Sequence, residues 1–556
     1  MKLLIEGYKY PKEFVTRTLG ENNVPLGKDG FVSWNQVGYF YNKQIGDCVF
    51  FLPKVLLNQN NLVLDKYKPE SIIDLTNAKL MSVDSAFLYS FSTWIYRSVK
   101  EFCVNNPDSD NILKEDYSIF DLGSKKVDSS LIDCILNLIY FSEKNKNWLI
   151  TTIKNFSSCN GKINWLKTFS KKTPLLYEKG PIYLDLVIKK SYFDAEEELF
   201  CLFFSILNHI KQKYGFKSFV NPFFKLLPDA ELKKHFSAYG KRKLLKIKNN
   251  YFSDKTLLMW KLCYAFISRV SEINSSTQKL DYLLVNRFDI VFEAIIDELI
   301  SDKEVLKPLK NQKDGKLVDH IFLSESLIEN SNDLYYIGDS KYYKIGSSIN
   351  GVAKYKQFTY VKNVIQYNLN LLLNEDSSPK EPVRYRDEIT EGYNITPNFF
   401  ISAELDKQRS YTRSGLKQLG EIQQSKQFHN RLFDRDTLWL SHYSLNFLYV
   451  LALYVRGRNS EKVSFKKHAR KVFKEAMLKE LVNKYSFYKL YPIPTLNLIS
   501  AVNNHFRELI GKAFRPNPDA EYLLLALEND NFDNDLILES ISKSFEINDL
   551  TIFKDS

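Results

Sequence analysis

The sequence predicts an α+β chain of several domains, and three patterns predict it. Short apolar runs broken by turn residues fill the first hundred positions, and runs of helical period follow them. After about residue 256 the order becomes helix, three strands, helix, strand. At 556 residues the chain exceeds what one hydrophobic core supports. The divisions read as a β-rich N-terminal module over 1–100, a mixed helical region over 101–255, an α/β core over 256–410 and a helical C-terminal region over 411–556.

In the N-terminal module, Pro25-Leu26-Gly27, Lys28-Asp29-Gly30 and Ile45-Gly46-Asp47 are turn signals. They punctuate two predicted strands, Val37–Tyr41 and Cys48–Pro53. Helical periodicity takes over from about 82 to 154, as in Phe87–Phe102 and Leu131–Tyr140. Lys171–Pro181 is a polar joint, and Ile182–Val187 reads as a strand after it. Asp194, with Ala195, Glu196 and Glu197, opens a helix to about Tyr214, because an Asp N-cap and early acids suit the helix dipole. The basic stretch Lys241–Lys248 reads as a solvated linker or helix face, with a phosphate-contacting role as the alternative.

The core begins with the amphipathic helix Phe288–Leu299. Val305–Gln312 reads as a first strand, and Lys313-Asp314-Gly315-Lys316 as a hairpin turn. A strand over Leu317–Leu323 holds Asp319, and after a polar loop (Ser324–Asp333) a strand over Leu334–Lys341 holds Asp339. Gly351–Leu373 is a helix and Phe399–Ala403 a further strand. The tail reads as helical, with Trp439–Val455 a buried helix, Lys466–Lys471 a basic patch and Asp519–Asp535 acidic.

Composition narrows the classes. With 44% hydrophobic and 26% charged residues, the chain is not a disordered one. Its net charge of +11 admits a polyanionic partner without requiring one. The six cysteines (Cys48, Cys103, Cys134, Cys159, Cys201, Cys263) show no C-x-x-C pair and no zinc spacing, which fits buried thiols in a reducing compartment. Met1-Lys2-Leu3-Leu4-Ile5-Glu6 meets charge too early for a signal peptide, and neither Leu199–Ile210 nor Trp439–Val455 suits a bilayer. A cytoplasmic protein without a membrane partner is expected.

The chemistry centres on Asp339-Ser340-Lys341 and on Asp319 twenty positions before it. Residues i and i+2 of a strand share a face roughly 7 Å apart, so Asp339 and Lys341 point into one cleft. Asp319 can join them from the neighbouring strand. Two carboxylates offer the oxygen ligands that Mg²⁺ or Mn²⁺ takes, and an ammonium can orient a water or steady a phosphate. Both acids interrupt apolar strands, where an unpaired buried carboxylate is costly. Glu293, in the preceding helix, is a third candidate ligand, although Asp289 and Asp297 continue its stripe and suggest a solvent face. Gln357 and Tyr360 share a face of the following helix, where an amide could hold the attacking water or a phosphate, with Gln366 its rival.

Together Asp319, Asp339-Ser340-Lys341 and the Gln357 helix resemble the PD-(D/E)xK nuclease superfamily. The string Ile337-Gly338-Asp339-Ser340-Lys341-Tyr342-Tyr343-Lys344 is similar to the D-A-K-Y signature of McrC- and LlaJI-type restriction endonuclease subunits. Val49–Lys54 and Gly180-Pro181-Ile182-Tyr183 add to the likeness. Val318 stands where the superfamily name places Pro, and the second motif is D-x-K rather than E-x-K. The resemblance implies a restriction-endonuclease-like core in a Mg²⁺-dependent subunit that hydrolyses double-stranded DNA in phage defence. No G-x-x-x-x-G-K-[ST] phosphate loop is present. The family therefore implies a separate AAA+ GTPase or ATPase motor, with residues 1 to about 250 as the docking and regulatory portion, and a homodimer or higher assembly. Two other readings stay open: a self-sufficient sequence-specific type II endonuclease, and a non-catalytic interaction subunit that binds DNA or a partner ATPase.

Overall fold

The computed structural model describes the chain apart from residues 21–29, 115–118, 122–125, 129, 149–151, 157–161, 193–196, 276–280, 304–309, 311–317, 329–332, 345–350, 374–384 and 553–556. The described chain is mixed α/β and gathers into two compact units. One comprises Met1–Leu52, Pro69–Ser92 and Asp110–Asn286, and the other Pro53–Lys68, Thr93–Ser109 and Arg287–Ser556. These run across the four consecutive stretches read from sequence, because strands distant in the chain pair with one another.

In the first unit a five-stranded sheet takes the order Lys2–Ile5, Asp47–Leu52, Val37–Asn42, Asp281–Val285, Ile112–Lys114. Only the first pair is parallel. Both predicted N-terminal strands are present. The strand Asp281–Val285, assigned from sequence to the core beyond 256, pairs instead with Val37–Asn42. It is anchored by buried Asp281, which accepts the backbone N–H of Leu131 at 2.8 Å and pairs with buried Arg269 at 3.3 Å. Leu4, Tyr10, Trp34, Val49, Phe51 and Ile73 form an apolar core against this sheet. The predicted helices lie within Ser82–Asn105 and Leu131–Lys144. Ile182 ends the short strand Gly180–Ile182, and the chain bends at Leu184 and Asp185 before the strand Ile188–Tyr192, so Ile182–Val187 is not one strand. Asp194 lies outside the described residues; the helix Glu198–Tyr214 is capped by Glu197, whose carboxylate accepts from Phe200 N at 2.8 Å. The basic run Lys241–Lys248 is largely a helix, Ala238–Ile247.

In the second unit the main sheet runs His320–Glu325, Asp333–Lys341, Asn398–Glu404, Leu438–Asn446, with Lys417–Gln418 and Gln423–Ser425 both pairing with the last. The first pair is antiparallel; Asp333–Lys341, Asn398–Glu404 and Leu438–Asn446 are mutually parallel. Of the predicted strand Val305–Gln312 only Lys310 is described, and it is helical; the turn Lys313–Lys316 lies outside the described residues. The run Trp439–Val455 is a strand that ends at Asn446, followed by the helix Phe447–Arg456. A parallel strand buried on both faces is a continuous apolar run, which periodicity alone does not separate from a buried helix. Nor is the tail wholly helical. A four-stranded antiparallel sheet, Ala513–Phe514, Leu523–Glu528, Tyr485–Pro492, Phe545–Asp549, closes over Leu490, Leu509, Leu525 and Ile541. No helix among the described residues is long and apolar enough to cross a membrane.

Candidate active site

Antiparallel register explains the twenty-residue spacing of the two acids. His320 pairs with Gly338, and one step further along the same ladder sets Asp319 opposite Asp339. The described strand begins at His320, one residue later than the acid, and Asp319 lies in the bend before it. Its carboxylate there accepts the backbone N–H of Ser340 at 3.3 Å, a side-chain bond where the ladder would have continued. Directly opposed like charges repel. Burial, then the Asp339 and Glu293 carboxylates, push the Asp319 carboxyl up to about 9.

Asp339 is buried, and the ammonium of Lys341, two residues on and on the same face, pairs with it. The same ammonium lies 5.0 Å from the ring centroid of Phe400, which is opposite Asp339 on the next strand. Two residues earlier on that face, Ile337 packs with Ile321 and with Val361, Val364 and Ile365 of the helix Gly351–Leu373. The acids thus stand at the polar edge of an apolar floor.

Glu293 lies in the helix Phe288–Ile300 and is half-buried rather than on a free face. Burial first, then Asp289 and Asp339, raise its carboxyl to about 7, with Arg287 and Lys341 opposing. The neighbours in its stripe are occupied: Asp289 pairs with Arg287 at 2.6 Å, and Asp297 with Lys310. The Lys466–Lys471 patch anchors this helix. Arg470 donates to Ile300 O at 2.7 Å and pairs with Asp302 at 2.6 Å, Lys466 donates to Ser301 O, and Lys462 pairs with Glu298 at 2.6 Å. Cations on the last carbonyls of a helix also complement its dipole.

A buried chain of polar groups, unread in the sequence, joins the same elements. His320 Nε2 lies 2.5 Å from Ser340 Oγ, and its Nδ1 lies 3.5 Å from Asp297 Oδ1. Burial would raise Asp297, but His320 and Lys310 together hold its carboxyl down at about 2. One helical turn separates Asp297 from Glu293; at 3.5 Å neither His320 Nδ1 nor Asp297 Oδ1 makes a hydrogen bond, so the ring and the carboxylate are neighbours rather than bonded. The only sequence signal for these groups was a histidine adjoining the first acid, within an otherwise apolar run.

Gln357 is placed elsewhere. Fully buried, it donates through Nε2 to Asn398 Oδ1 at 2.7 Å, and no hydrogen-bond partner is found for its Oε1. Asn398 is opposite Ile337, two residues short of the acids' level. Gln366 is exposed. The structure therefore brings Asp319, Asp339, Lys341 and Glu293 together, turns Gln357 to Asn398 and leaves Gln366 exposed.

The donor set at this site is all carboxylate, the chemistry a hard divalent cation takes, and the mutual repulsion of the acids is what such a cation would relieve. Among the described residues, however, no three His, Cys, Asp or Glu side chains stand close enough together to form a metal cluster as they are. The fit to Mg²⁺ rests on Asp319 and Asp339, with Glu293 beside them. Compared with family models, curated proteins and solved structures, the chain matches none.

Proposed function

We propose that the chain is a metal-dependent endodeoxyribonuclease, the cutting subunit of a restriction system, with the sheet around Asp339 as a PD-(D/E)xK core. One observation carries this reading. Asp319, in the bend just before the strand that faces Asp339, accepts the N–H of Ser340 between Asp339 and its i+2 lysine, in a setting that raises the Asp319 and Glu293 carboxyls. Acids perturbed by burial and by a specific charge partner in one cleft are the physical signature of a functional-site candidate.

Asp319 and Asp339, with Glu293, would hold Mg²⁺, which when bound supplies a more acidic water and a polarised phosphate. Lys341, held over Phe400, would orient the attacking water and offset charge developing on the phosphate oxygens. The His320–Ser340 contact would hold the two strands that carry the acids in register. Enzymes remove about 8–23 kcal/mol of barrier, more than one lysine contributes. The substrate of this reading is double-stranded DNA, and an AAA+ GTPase or ATPase on another chain would license the cut.

The test is nicking of duplex DNA by the purified chain with Mg²⁺, alone and with any AAA+ NTPase found encoded in a neighbouring reading frame. Asp339→Asn and Lys341→Ala should each abolish nicking with the circular dichroism spectrum unchanged. Cleavage retained by Asp339→Asn would overturn the assignment. Cleavage by the wild type without a motor would identify a self-sufficient enzyme instead, and none under any condition an interaction subunit.

A further inference from the structure

The strand Asn398–Glu404 runs two residues past Ser402, the residue opposite Lys341, and the chain then makes a loop over residues 405–416 before returning as Lys417–Gln418. Ligands of open α/β sheets collect at the carboxyl ends of parallel strands, and this loop rises from that end. Its charge is one-sided: Lys407, Arg409 and Arg413 against Asp406. Lys407 and Arg413 are exposed, while Lys417 pairs with Glu404 at 3.1 Å.

Unlike a solvated basic loop, this one is held along its length. Asn446 Nδ2 donates to Ser410 O at 2.6 Å and to Arg413 O at 2.8 Å, and Asn446 N donates to Ser414 O at 2.8 Å. The other end of that amide, Oδ1, accepts Leu448 N at 3.1 Å and caps the helix Phe447–Arg456. Asp406 closes the first turn by accepting Ser410 N at 3.0 Å, and Tyr411 stacks on Trp94 with ring centroids 5.3 Å apart. Arg409 is held at φ 55°, a left-handed conformation that a non-glycine residue keeps only where its surroundings impose it. The main chain is thereby fixed, with Lys407 and Arg413 exposed, Arg409 half-buried, and the Arg413 guanidinium donating to Gln408 Oε1 at 2.5 Å within the loop.

The distance from the candidate active site follows from register. Lys341 is opposite Ser402, Ser402 is opposite Ser444, and Glu404 is opposite Asn446. Two strand spacings across and two residues along put Asn446 about 12 Å from Lys341 between Cα atoms. One DNA strand carries a phosphate about every 3.4 Å of helix axis, so that span covers about three or four phosphates.

We propose that this loop is a clamp for the sugar–phosphate backbone of duplex DNA, in which Lys407, Arg409 and Arg413 hold phosphates about three or four nucleotides from the bond positioned at Lys341. The inference rests on the nuclease reading for its substrate, but its test does not require cleavage.

The full chain is titrated in EDTA against a fluorescein-labelled DNA duplex by anisotropy over a series of salt concentrations. The double variant Lys407→Gln/Arg413→Gln should bind more weakly and flatten the slope of log K against log salt by about 0.9 for each phosphate no longer held. Arg242→Gln/Lys246→Gln, on the exposed face of the helix Ala238–Ile247, removes the same charge and should leave the slope unchanged. Equal slopes for wild type and the loop variant, equal losses in both variants, or no binding by the wild type would each overturn the proposal. A loop variant that binds and nicks like the wild type refutes the clamp and leaves the nuclease reading standing. A wild type that binds through the loop but never cuts with Mg²⁺ and motor refutes the nuclease reading alone.

Discussion

Asp319→Asn should stabilise the metal-free protein, against the usual direction for a change at a buried polar site. The Asp319 carboxyl, ordinarily near 3.8, is raised to about 9 by burial and by the facing Asp339 and Glu293. Between those values the folded chain keeps a proton that the unfolded chain has released. Stability therefore falls as pH rises through that window, by at most about 1.4 kcal/mol per pH step. From 3.8 to pH 7 this reaches roughly 4 kcal/mol, and solvent at the part-exposed edge of the site reduces the expected figure to about 1–3 kcal/mol. Asparagine does not ionise and escapes the loss. Urea unfolding in EDTA at several values from about pH 5 to 9 should show the variant gaining on the wild type as pH rises. Excess Mg²⁺ should then reverse the order at pH 8, because a cation bound only by the folded wild type stabilises it by mass action. Parallel wild-type and variant curves across that range would refute the idea that Asp319 and Asp339 strain one another.

Four further outcomes test the surroundings of the site. His320→Leu leaves Ser340 Oγ and Asp297 without the ring they meet; it should cost about 1–3 kcal/mol in urea unfolding, and His320→Gln less. The same pair predicts an acid limb. Asp297, held at about 2, contributes stability that is present above its ordinary 3.8 and lost as pH falls through about 2, so Asp297→Asn should flatten the acid limb of the unfolding curve. Gln357→Leu should leave nicking within about tenfold of the wild type, since the amide meets Asn398 and not the acids; a drop of about a hundredfold would return Gln357 to the site. Gly338→Ala would place a Cβ 2.1 Å from Phe399 Cε2, a ring stacked on Phe473, and should lower stability by about 1–3 kcal/mol in thermal unfolding.

Much of the candidate site was legible because it depends on two short-range periodicities. The i+2 rule put Lys341 beside Asp339, and a hairpin-like return put Asp319 across from it. The N-terminal strands and the helices Leu131–Lys144 and Gly351–Leu373 were legible for similar reasons, each having one dominant period. What escaped was set by distant partners. Asp281–Val285 carries the same strand pattern whichever sheet receives it, and the distant partners Arg269, Leu131, Val37–Asn42 and Ile112–Lys114 decide. The strand Leu438–Asn446 escaped for a different reason: buried on both faces, it shows no alternation to read.

Gln357 shows where such reading fails within a correctly located helix. Periodicity named the face that turns toward the sheet, and Gln357 does lie there, fully buried. It could not supply the helix's position along the strand axis, which Val361, Val364 and Ile365 set by packing on Ile321 and Ile337. That position brings the amide level with Asn398, two residues short of Phe400 and Asp339. Asp297 shows the converse. It was read as part of a solvent stripe, yet it meets a fully buried histidine on the strand that follows Asp319. Both turn on one geometric fact: side chains on one helix face differ in height, and a site at a strand's end selects a single turn of each helix. For the helix Phe288–Ile300 that turn contains Glu293, with Asp297 beside His320 one turn on and the C-terminal end held by Lys466 and Arg470. The groups around that turn are therefore spread over three elements, and no local motif could have announced them.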